Sequence, residues 1–151
     1  MDVRLLPVIA MLALAACAAP GQPTQAELRA SWDERNVFPA QYKADVAAFM
    51  QTYLNNPENI RSAAITRPQL KRVPGDPGDR YLVCVRYNAR GSDGVYAGVQ
   101  DAVATFMSGK FERFLDPLRG DANRQFAAGV VRDLCKDVAF EAFPELQRLK
   151  R

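Results

Sequence analysis

The clearest hydrophobic pattern in the chain lies between residues 40 and 54. Apolar side chains recur there at steps of three and four residues, which places them on one stripe of a helix. Pro39 suits the start of a helix, and the run Asn-Asn-Pro at 55–57 ends the pattern. The sequence therefore predicts a helix whose apolar face carries Tyr42, Val46, Phe49, Met50 and Tyr53.

Four later segments have the pattern of β-strands, because apolar residues fill them or alternate along them and turn residues separate them. In the second segment, both faces are apolar at first, and one face becomes polar toward the C-terminal end. We predict strands over residues 62–73, 80–90, 96–107 and 110–116, with turns at 74–79, 91–94 and 108–109.

The third strand segment, residues 96–107, has two possible interpretations. Val99, Val103 and Phe106 also fit helical spacing, and periodicity alone does not separate a strand from a helix. A hairpin with the preceding strand is favoured because, in that pairing, the residues on each face of the segment have a packing role. The expected register pairs Arg90 with Val95, Val85 with Gln100, Val83 with Ala102 and Tyr81 with Ala104.

This register sorts the side chains of the sheet into two faces. The face expected to receive the helix is nearly all apolar and carries Tyr81, Val83, Val85, Tyr87, Gly98, Ala102, Ala104, Phe106, Phe111 and Leu115. The opposite face carries Cys84, Asp101, Val103, Thr105 and Phe114. Near the C-terminus, Phe126, Val130 and Leu134 predict a second short helix, followed by anchoring side chains at Phe140, Phe143 and Leu146.

The cysteines add a covalent constraint to this picture. Cys84 and Cys135 are 51 positions apart and lack the Cys-x-x-Cys spacing of thiol oxidoreductases, so a structural disulfide is favoured over a reactive thiol. The expected fold class is α+β, with an N-terminal helix packed on an antiparallel sheet of about four strands, a short C-terminal helical segment and one disulfide. The order of helix and strands is similar to that of cystatin-like folds, which implies no function by itself.

The first residues have the pattern of a targeting signal. Residues 5–16 are uncharged and apolar, long enough for the hydrophobic region of a signal peptide and too short to span a bilayer. The following run Leu14-Ala15-Ala16-Cys17 resembles the lipobox of bacterial lipoproteins. That resemblance implies cleavage before Cys17 and acylation of Cys17, and Ala18 in place of Asp implies sorting to the periplasmic face of the outer membrane.

These features divide the chain into three parts. We predict a lipoprotein signal peptide over residues 1–16, a lipidated tether over 17–39 and a single globular α+β domain over 40–151. The tether contains Pro and Gly, and Thr24 with Glu27 has the spacing of a capping box, which predicts one short helix within it.

Composition excludes several classes of chemistry. The chain has no histidine, and its formal net charge is only +3, which argues against His-based catalysis and against nucleic-acid binding. Asp76, Asp79 and Asp93 lie in turns but do not follow the spacing of a calcium loop, and Asp101 and Glu112 have no mark of a catalytic pair. We therefore expect no catalytic residue, no metal site and no cofactor.

The one group of side chains that is a candidate for binding lies around the first hairpin. Arg86, Asn88 and Arg90 share one face of the second strand, with Tyr96 across the turn and Tyr87 between them. Arginine and tyrosine are favoured in protein interfaces, and guanidinium groups bind carboxylates and phosphates. The alternative is that Arg86 pairs with Asp101 and that Arg90 is merely solvated.

The sequence as a whole looks like the small lipoproteins of alphaproteobacteria, a resemblance that implies no activity. It rests on the run 81–90, on Ser92-Asp93-Gly94, and on Cys135 with Phe-Pro-Glu-Leu at 143–146. We expect a non-catalytic binding module that is anchored to the membrane at Cys17 and binds an envelope protein or an anionic envelope polymer. The alternative is a periplasmic inhibitor of a secreted enzyme such as a lysozyme-type hydrolase, with the loop 92–96 as its exposed segment.

Overall fold

A computed structural model describes residues 21–118 and 124–150 of the chain. The segment predicted as a signal peptide, residues 1–16, lies outside the described residues, as do Cys17 and Ala18. The helices are α1 (Gln25–Glu34), α2 (Tyr42–Tyr53), α3 (Arg124–Leu134) and α4 (Pro144–Gln147). The strands are β1 (Asn56–Ile65), β2 (Gln69–Arg72), β3 (Asp79–Arg90), β4 (Gln100–Met107), β5 (Lys110–Leu115) and β6 (Glu141–Ala142).

The six strands form one antiparallel sheet in the order β5-β4-β3-β1-β6, with β2 paired to the beginning of β3. The mixed class of helix and antiparallel sheet is confirmed, whereas the expected count of four strands is wrong. The segment predicted as a single first strand divides at Thr66–Pro68, since proline has no N–H group to donate to a ladder. Thr66 continues the pairing at the break: its N–H donates to the Cys84 carbonyl, and its Oγ1 accepts from the Cys84 N–H at 2.9 Å.

Helix α2 corresponds to the predicted apolar helix and lies on one face of the sheet together with α4. It is not the first helix of the described chain, because α1 precedes it. Phe143 and Leu146 are fully buried in the same core, as expected for anchoring side chains. The buried residues of this main core are Val46, Ala47, Met50, Leu54, Ile60, Ala63, Ile65, Val83, Val85, Tyr87, Ala89, Ala102, Ala104, Phe106, Phe143 and Leu146.

The hairpin of β3 and β4 is present, and residues 100–107 form a strand, as favoured over a helix. Its register differs from the expected one by two residues: Val85 pairs with Ala102 and Tyr81 with Phe106. Arg90 bridges to Tyr96, and the next residues leave the ladder through Gly98, whose φ of +99° is accessible to glycine. Because the shift is an even number of residues, each side chain keeps its predicted face.

The faces of β5 differ from the prediction because of a β-bulge. Between Thr105 and Phe106, the pairing with β5 shifts by one residue, which leaves Glu112 as the extra residue. Phe114 therefore packs with Phe111 against the main core, and Leu115 packs on the opposite face. Strict alternation through the strand predicts Phe114 and Leu115 on the opposite faces from those they occupy.

Helix α3 covers part of the opposite face and is tied there by the predicted disulfide. Cys84 and Cys135 are bonded, with their Cα atoms 5.7 Å apart. Val131 and Leu134 of α3 join a second, smaller core, whose other buried residues are Val73, Leu82, Cys84 and Val103. Phe126, expected on the apolar stripe of this helix, is exposed.

Helix α1 lies in the segment assigned to the tether and begins with the predicted capping box. Thr24 Oγ1 accepts from the Glu27 N–H, and the Thr24 N–H donates to the Glu27 carboxylate, which lowers the pKa of Glu27. Trp32 is the buried residue of this helix: its Nε1 donates to the Asp79 carbonyl at 2.6 Å, and the Arg80 guanidinium lies over its ring at 4.6 Å. These contacts attach α1 to the beginning of β3.

Candidate functional site

The candidate site lies where the second face of the sheet is not covered by a helix. Helix α3 packs on the first half of β3, over Leu82 and Cys84. Arg86, Asn88 and Arg90 follow on the same face, since side chains alternate along a strand. Asn88 is held within the hairpin, because its Oδ1 accepts from the Gly98 N–H at 3.0 Å.

Arg86 forms an ion pair with Asp101, directly opposite on β4. Its Nε and Nη2 donate to the two carboxylate oxygens at 2.7 and 2.8 Å, and its guanidinium lies over the Phe140 ring at 4.2 Å. The hydrogen bonds to Asp101 raise the pKa of Arg86. Because its charge is matched within the sheet, Arg86 is the member of the predicted group with the least capacity for an outside anion.

Arg90 and Tyr96 form a different kind of contact, in which a third residue takes part. The guanidinium carbons of Arg61 and Arg90 lie 4.1 and 4.9 Å from the centroid of the Tyr96 ring. The Tyr96 hydroxyl donates to the Asn59 carbonyl at 2.8 Å, which fixes the ring against β1. Within residues 21–118 and 124–150, no carboxylate lies within 4.0 Å of the Arg61 or Arg90 guanidinium.

Two exposed apolar side chains flank this cluster on the loop side. Val95 and Val99 are 63% and 57% exposed, and they lie on either side of Tyr96 in the connection between β3 and β4. We call the five residues Arg61, Arg90, Val95, Tyr96 and Val99 the hairpin surface. The rest of the loop is exposed from Ser92 to Gly94, and Asp93 stabilises the turn by accepting from the Val95 N–H.

Sequence reasoning missed Arg61, since its place depends on the pairing of two distant strands. Arg61 lies opposite Asn88 in a stretch where the β1–β3 register shifts twice. Asn59 and Ser62, on either side of it, have φ values of +56° and +54°, which are uncommon for residues other than glycine. Such bulged positions are not signalled by apolar alternation, and the sequence holds no signal that would have found Arg61.

A second polar cluster surrounds Glu141 at the other end of the sheet. The Glu141 carboxylate accepts from Lys43 Nζ at 2.9 Å and from the Tyr42 hydroxyl at 3.1 Å, and Arg67 Nε lies 3.8 Å away. The hydrogen bonds from Lys43 and Tyr42 lower the pKa of Glu141. These residues, with Phe38 and Pro68, line a groove of about 560 Å³.

The acidic residues considered for calcium or catalysis, apart from Asp93 in the hairpin loop, are bound to arginines. Asp76 contacts Arg80 and Arg113, whereas Asp79 pairs with Arg72. Of the two acids considered as a pair, Asp101 binds Arg86, and Glu112 binds Arg80. Each of these carboxylates compensates an arginine: Asp76 and Glu112 share Arg80, whereas Asp79 and Asp101 bind other arginines. Among the described residues, no three of these acids lie together in one cluster.

Among the described ranges, no group of three or more His, Cys, Asp or Glu side chains is placed to hold a metal ion. No helix within those ranges combines the length and the apolar character needed to cross a bilayer. Comparison of the chain with protein-family models, with curated proteins and with solved structures finds no match.

Proposed function

We propose that the protein is a non-catalytic binding module of the cell envelope, anchored at Cys17 to the periplasmic face of the outer membrane. In this proposal the hairpin surface binds an acidic segment of another envelope protein. The observation that carries it is the pair Arg61 and Arg90, held on one tyrosine ring at an uncovered part of the sheet and without an ion-pair partner among the described residues.

The chemistry of this pair favours an anionic partner. A guanidinium group presents several N–H donors in a plane and binds a carboxylate with two parallel hydrogen bonds. Stacking on Tyr96 restricts the motion of both side chains before binding, which reduces the entropy lost when a partner docks. Truncation of a side chain to alanine costs more than about 1 kcal/mol of binding free energy at fewer than about 30% of interface positions. Arginine and tyrosine are enriched among the positions with the largest costs.

The apolar neighbours favour a protein over an anionic polymer. Val95 and Val99 present apolar area beside the two cations, a combination typical of the central part of protein interfaces. A uniformly charged polymer would contact the arginines but would gain nothing from the valines. Arg86 contributes less, because Asp101 already binds it.

The membrane anchor in this proposal rests on the lipobox-like run and not on the fold. Several acyl chains on one residue give stable attachment to a bilayer, whereas a single chain is marginal. Anchoring would hold the domain near its partner and raise the effective concentration of the two proteins. A module of this kind needs neither a cofactor nor a catalytic residue.

The test is photo-crosslinking in cells that produce the full-length chain. A photo-reactive amino acid at Val99 would report the partner at the hairpin surface, and the same amino acid at the exposed Phe126 would report contacts of α3. We expect one dominant adduct at Val99, with the crosslinked peptide of the partner rich in Asp and Glu. The double variant Arg61→Ala/Arg90→Ala should reduce that adduct by about tenfold.

The matched control is Arg29→Ala/Arg132→Ala, which removes the same charge from exposed positions on α1 and α3. This variant should leave the Val99 adduct unchanged. An adduct that persists in the Arg61/Arg90 variant, or the absence of any protein adduct at Val99, would contradict the proposal. An adduct to a lysozyme-type hydrolase would instead support the inhibitor alternative.

A further inference from the structure

The end of the sheet opposite the hairpin surface carries a second group of exposed apolar side chains. Val37, Phe38 and Leu70 are 53%, 53% and 50% exposed, and we call them the anchor-end surface. They lie near the beginning of β3, whereas the hairpin surface lies at its end. With about 3.3 Å per residue along this strand, its two ends are about 36 Å apart.

Contacts through Tyr81 and Gly109 join these side chains into one surface. The Phe38 ring meets the Tyr81 ring edge to face, with centroids 5.5 Å apart. Leu70 on β2 is the cross-strand partner of Tyr81 and shares its face of the sheet. Val37 lies against Gly109, where a Cβ atom would be 3.4 Å from the valine side chain.

The same end receives the N-terminal segment of the chain. Trp32 attaches α1 to Asp79 and Arg80, and the Arg35 carbonyl accepts from the Ser108 N–H at 2.8 Å. Val37 and Phe38 follow directly after these contacts. The residues between Cys17 and the helix cap at Thr24 can span at most about 25 Å, even when fully extended. Helix α1 adds about 12 Å between Thr24 and Trp32, at 1.5 Å per residue. A lipid on Cys17 would therefore keep the strand ends that Trp32 contacts within about 37 Å of the bilayer, and the opposite end of β3 would lie farther away.

Basic side chains stand beside the apolar ones. Arg67 and Lys43 line the groove that contains Phe38 and share the carboxylate of Glu141 there, so two cations face one acid. The Arg67 side chain is 86% exposed. Lys110 is exposed and follows Gly109, against which Val37 lies. Apolar side chains that enter the headgroup region and cations that remain among phosphates are the combination that favours an interfacial position on an anionic membrane.

From these placements we infer that the anchor-end surface lies on the bilayer, with Val37, Phe38 and Leu70 in the headgroup region. The inference rests on the proposed acylation of Cys17. It adds an orientation to the proposed function: β3 leads away from the membrane, and the hairpin surface is presented to the periplasm up to about 36 Å beyond the anchor-end surface. The lipid surface thus covers apolar side chains that would otherwise remain in water.

The test places a nitroxide spin label at either end of β3 in the full, lipidated chain. Leu70→Cys carries the label at the anchor-end surface, and Val95→Cys is the matched control at the hairpin surface, where the native side chain is also exposed. The chain is reconstituted in vesicles of phosphatidylethanolamine and phosphatidylglycerol. Collisions with dissolved oxygen, which concentrates in lipid, are compared with collisions with a water-soluble nickel chelate.

We expect the ratio of oxygen to nickel collisions to be at least about threefold higher at position 70 than at position 95, because the first label lies in the bilayer interface. Equal ratios in a chain that floats with the vesicles would leave the anchor intact and overturn the orientation. A chain that does not float with vesicles would overturn both the acylation and the orientation. Binding at the hairpin surface is measured separately by crosslinking, so its failure would be distinct from either result.

Discussion

At the scale of single residues, the arginines differ in what compensates their charge. Arg86 has a carboxylate in bidentate contact, and Arg80 is buried with Asp76 and Glu112 as partners. Arg61 and Arg90 have an aromatic ring instead. A cation on an aromatic ring keeps most of its N–H donors available, so residues with the same charge contribute to stability in one place and to recognition in another.

The Glu141 cluster gives a prediction of pH dependence. The pKa of Glu141 is lowered from its ordinary value of 4.5 by Lys43 and Tyr42. A lowered folded-state pKa stabilises the fold above the unfolded-state pKa, and this contribution disappears as the pH falls through the folded-state value. The wild-type chain should therefore unfold at a higher urea concentration than Glu141→Gln at neutral pH, and the two midpoints should converge below about pH 4.5.

Urea unfolding curves of both chains from about pH 7 to about pH 3 measure this difference. Glu34→Gln, which changes an exposed acid at the end of α1, serves as the control and should follow the wild type throughout. A difference between the wild type and Glu141→Gln that persists at the acidic end would show that the carboxylate charge is not the cause.

At the scale of elements, sequence patterns predicted what repeats locally and failed where the chain departs from regularity. The apolar stripe predicted both ends of α2 to within two residues. Alternation correctly predicted which side chains of β3 lie on each face of the sheet. The β4–β5 bulge reversed Phe114 and Leu115, because one extra residue changes the parity of all that follow. The hairpin register was wrong by two residues, since loop length sets it and Gly98 lengthens the loop.

The candidate site shows the same division between local and distant information. Arg90 and Tyr96 are close in sequence across one turn, and a hairpin prediction was enough to associate them. Arg61 reaches the same ring from β1, through a pairing that includes two register shifts. The disulfide was predictable despite its separation of 51 residues, because the composition leaves only two cysteines after Cys17.

Helix α1 gives a prediction at this scale, because Trp32 is its buried residue. A helix of this length is marginal by itself in water, so its stability depends on that contact. We expect Trp32→Ala to increase hydrogen exchange at the α1 amides by at least about tenfold, while the amides of β3 and β4 stay protected. Hydrogen exchange measured by NMR or mass spectrometry tests this.

The matched control is Leu28→Ala, a substitution at an exposed position of the same helix. It should leave exchange in α1 close to that of the wild type. Loss of protection in β3 and β4 together with α1 in the Trp32 variant would mean that α1 is part of the cooperative unit of the domain. The attachment of α1 would then contribute to folding as well as to orientation.

At the scale of the whole molecule, the sheet separates two cores of unequal size, and the disulfide belongs to the smaller one. The main core contains α2, α4 and neither cysteine, whereas the second core depends on α3 and contains Cys84. Cross-linking positions 51 residues apart is expected to stabilise the fold by about 4 kcal/mol in the chain-entropy model. Loss of the disulfide should therefore destabilise α3 first and the sheet only secondarily.

The variant Cys84→Ala/Cys135→Ala tests this order of dependence. We expect its free energy of unfolding in urea to fall by up to about 4 kcal/mol, while it remains folded at low denaturant because the main core is intact. The amides of α3 should lose protection before those of β3 and β4. If the sheet loses protection together with α3, the two cores form one cooperative unit. The disulfide would then also stabilise β3, the strand that connects the anchor-end surface to the hairpin surface.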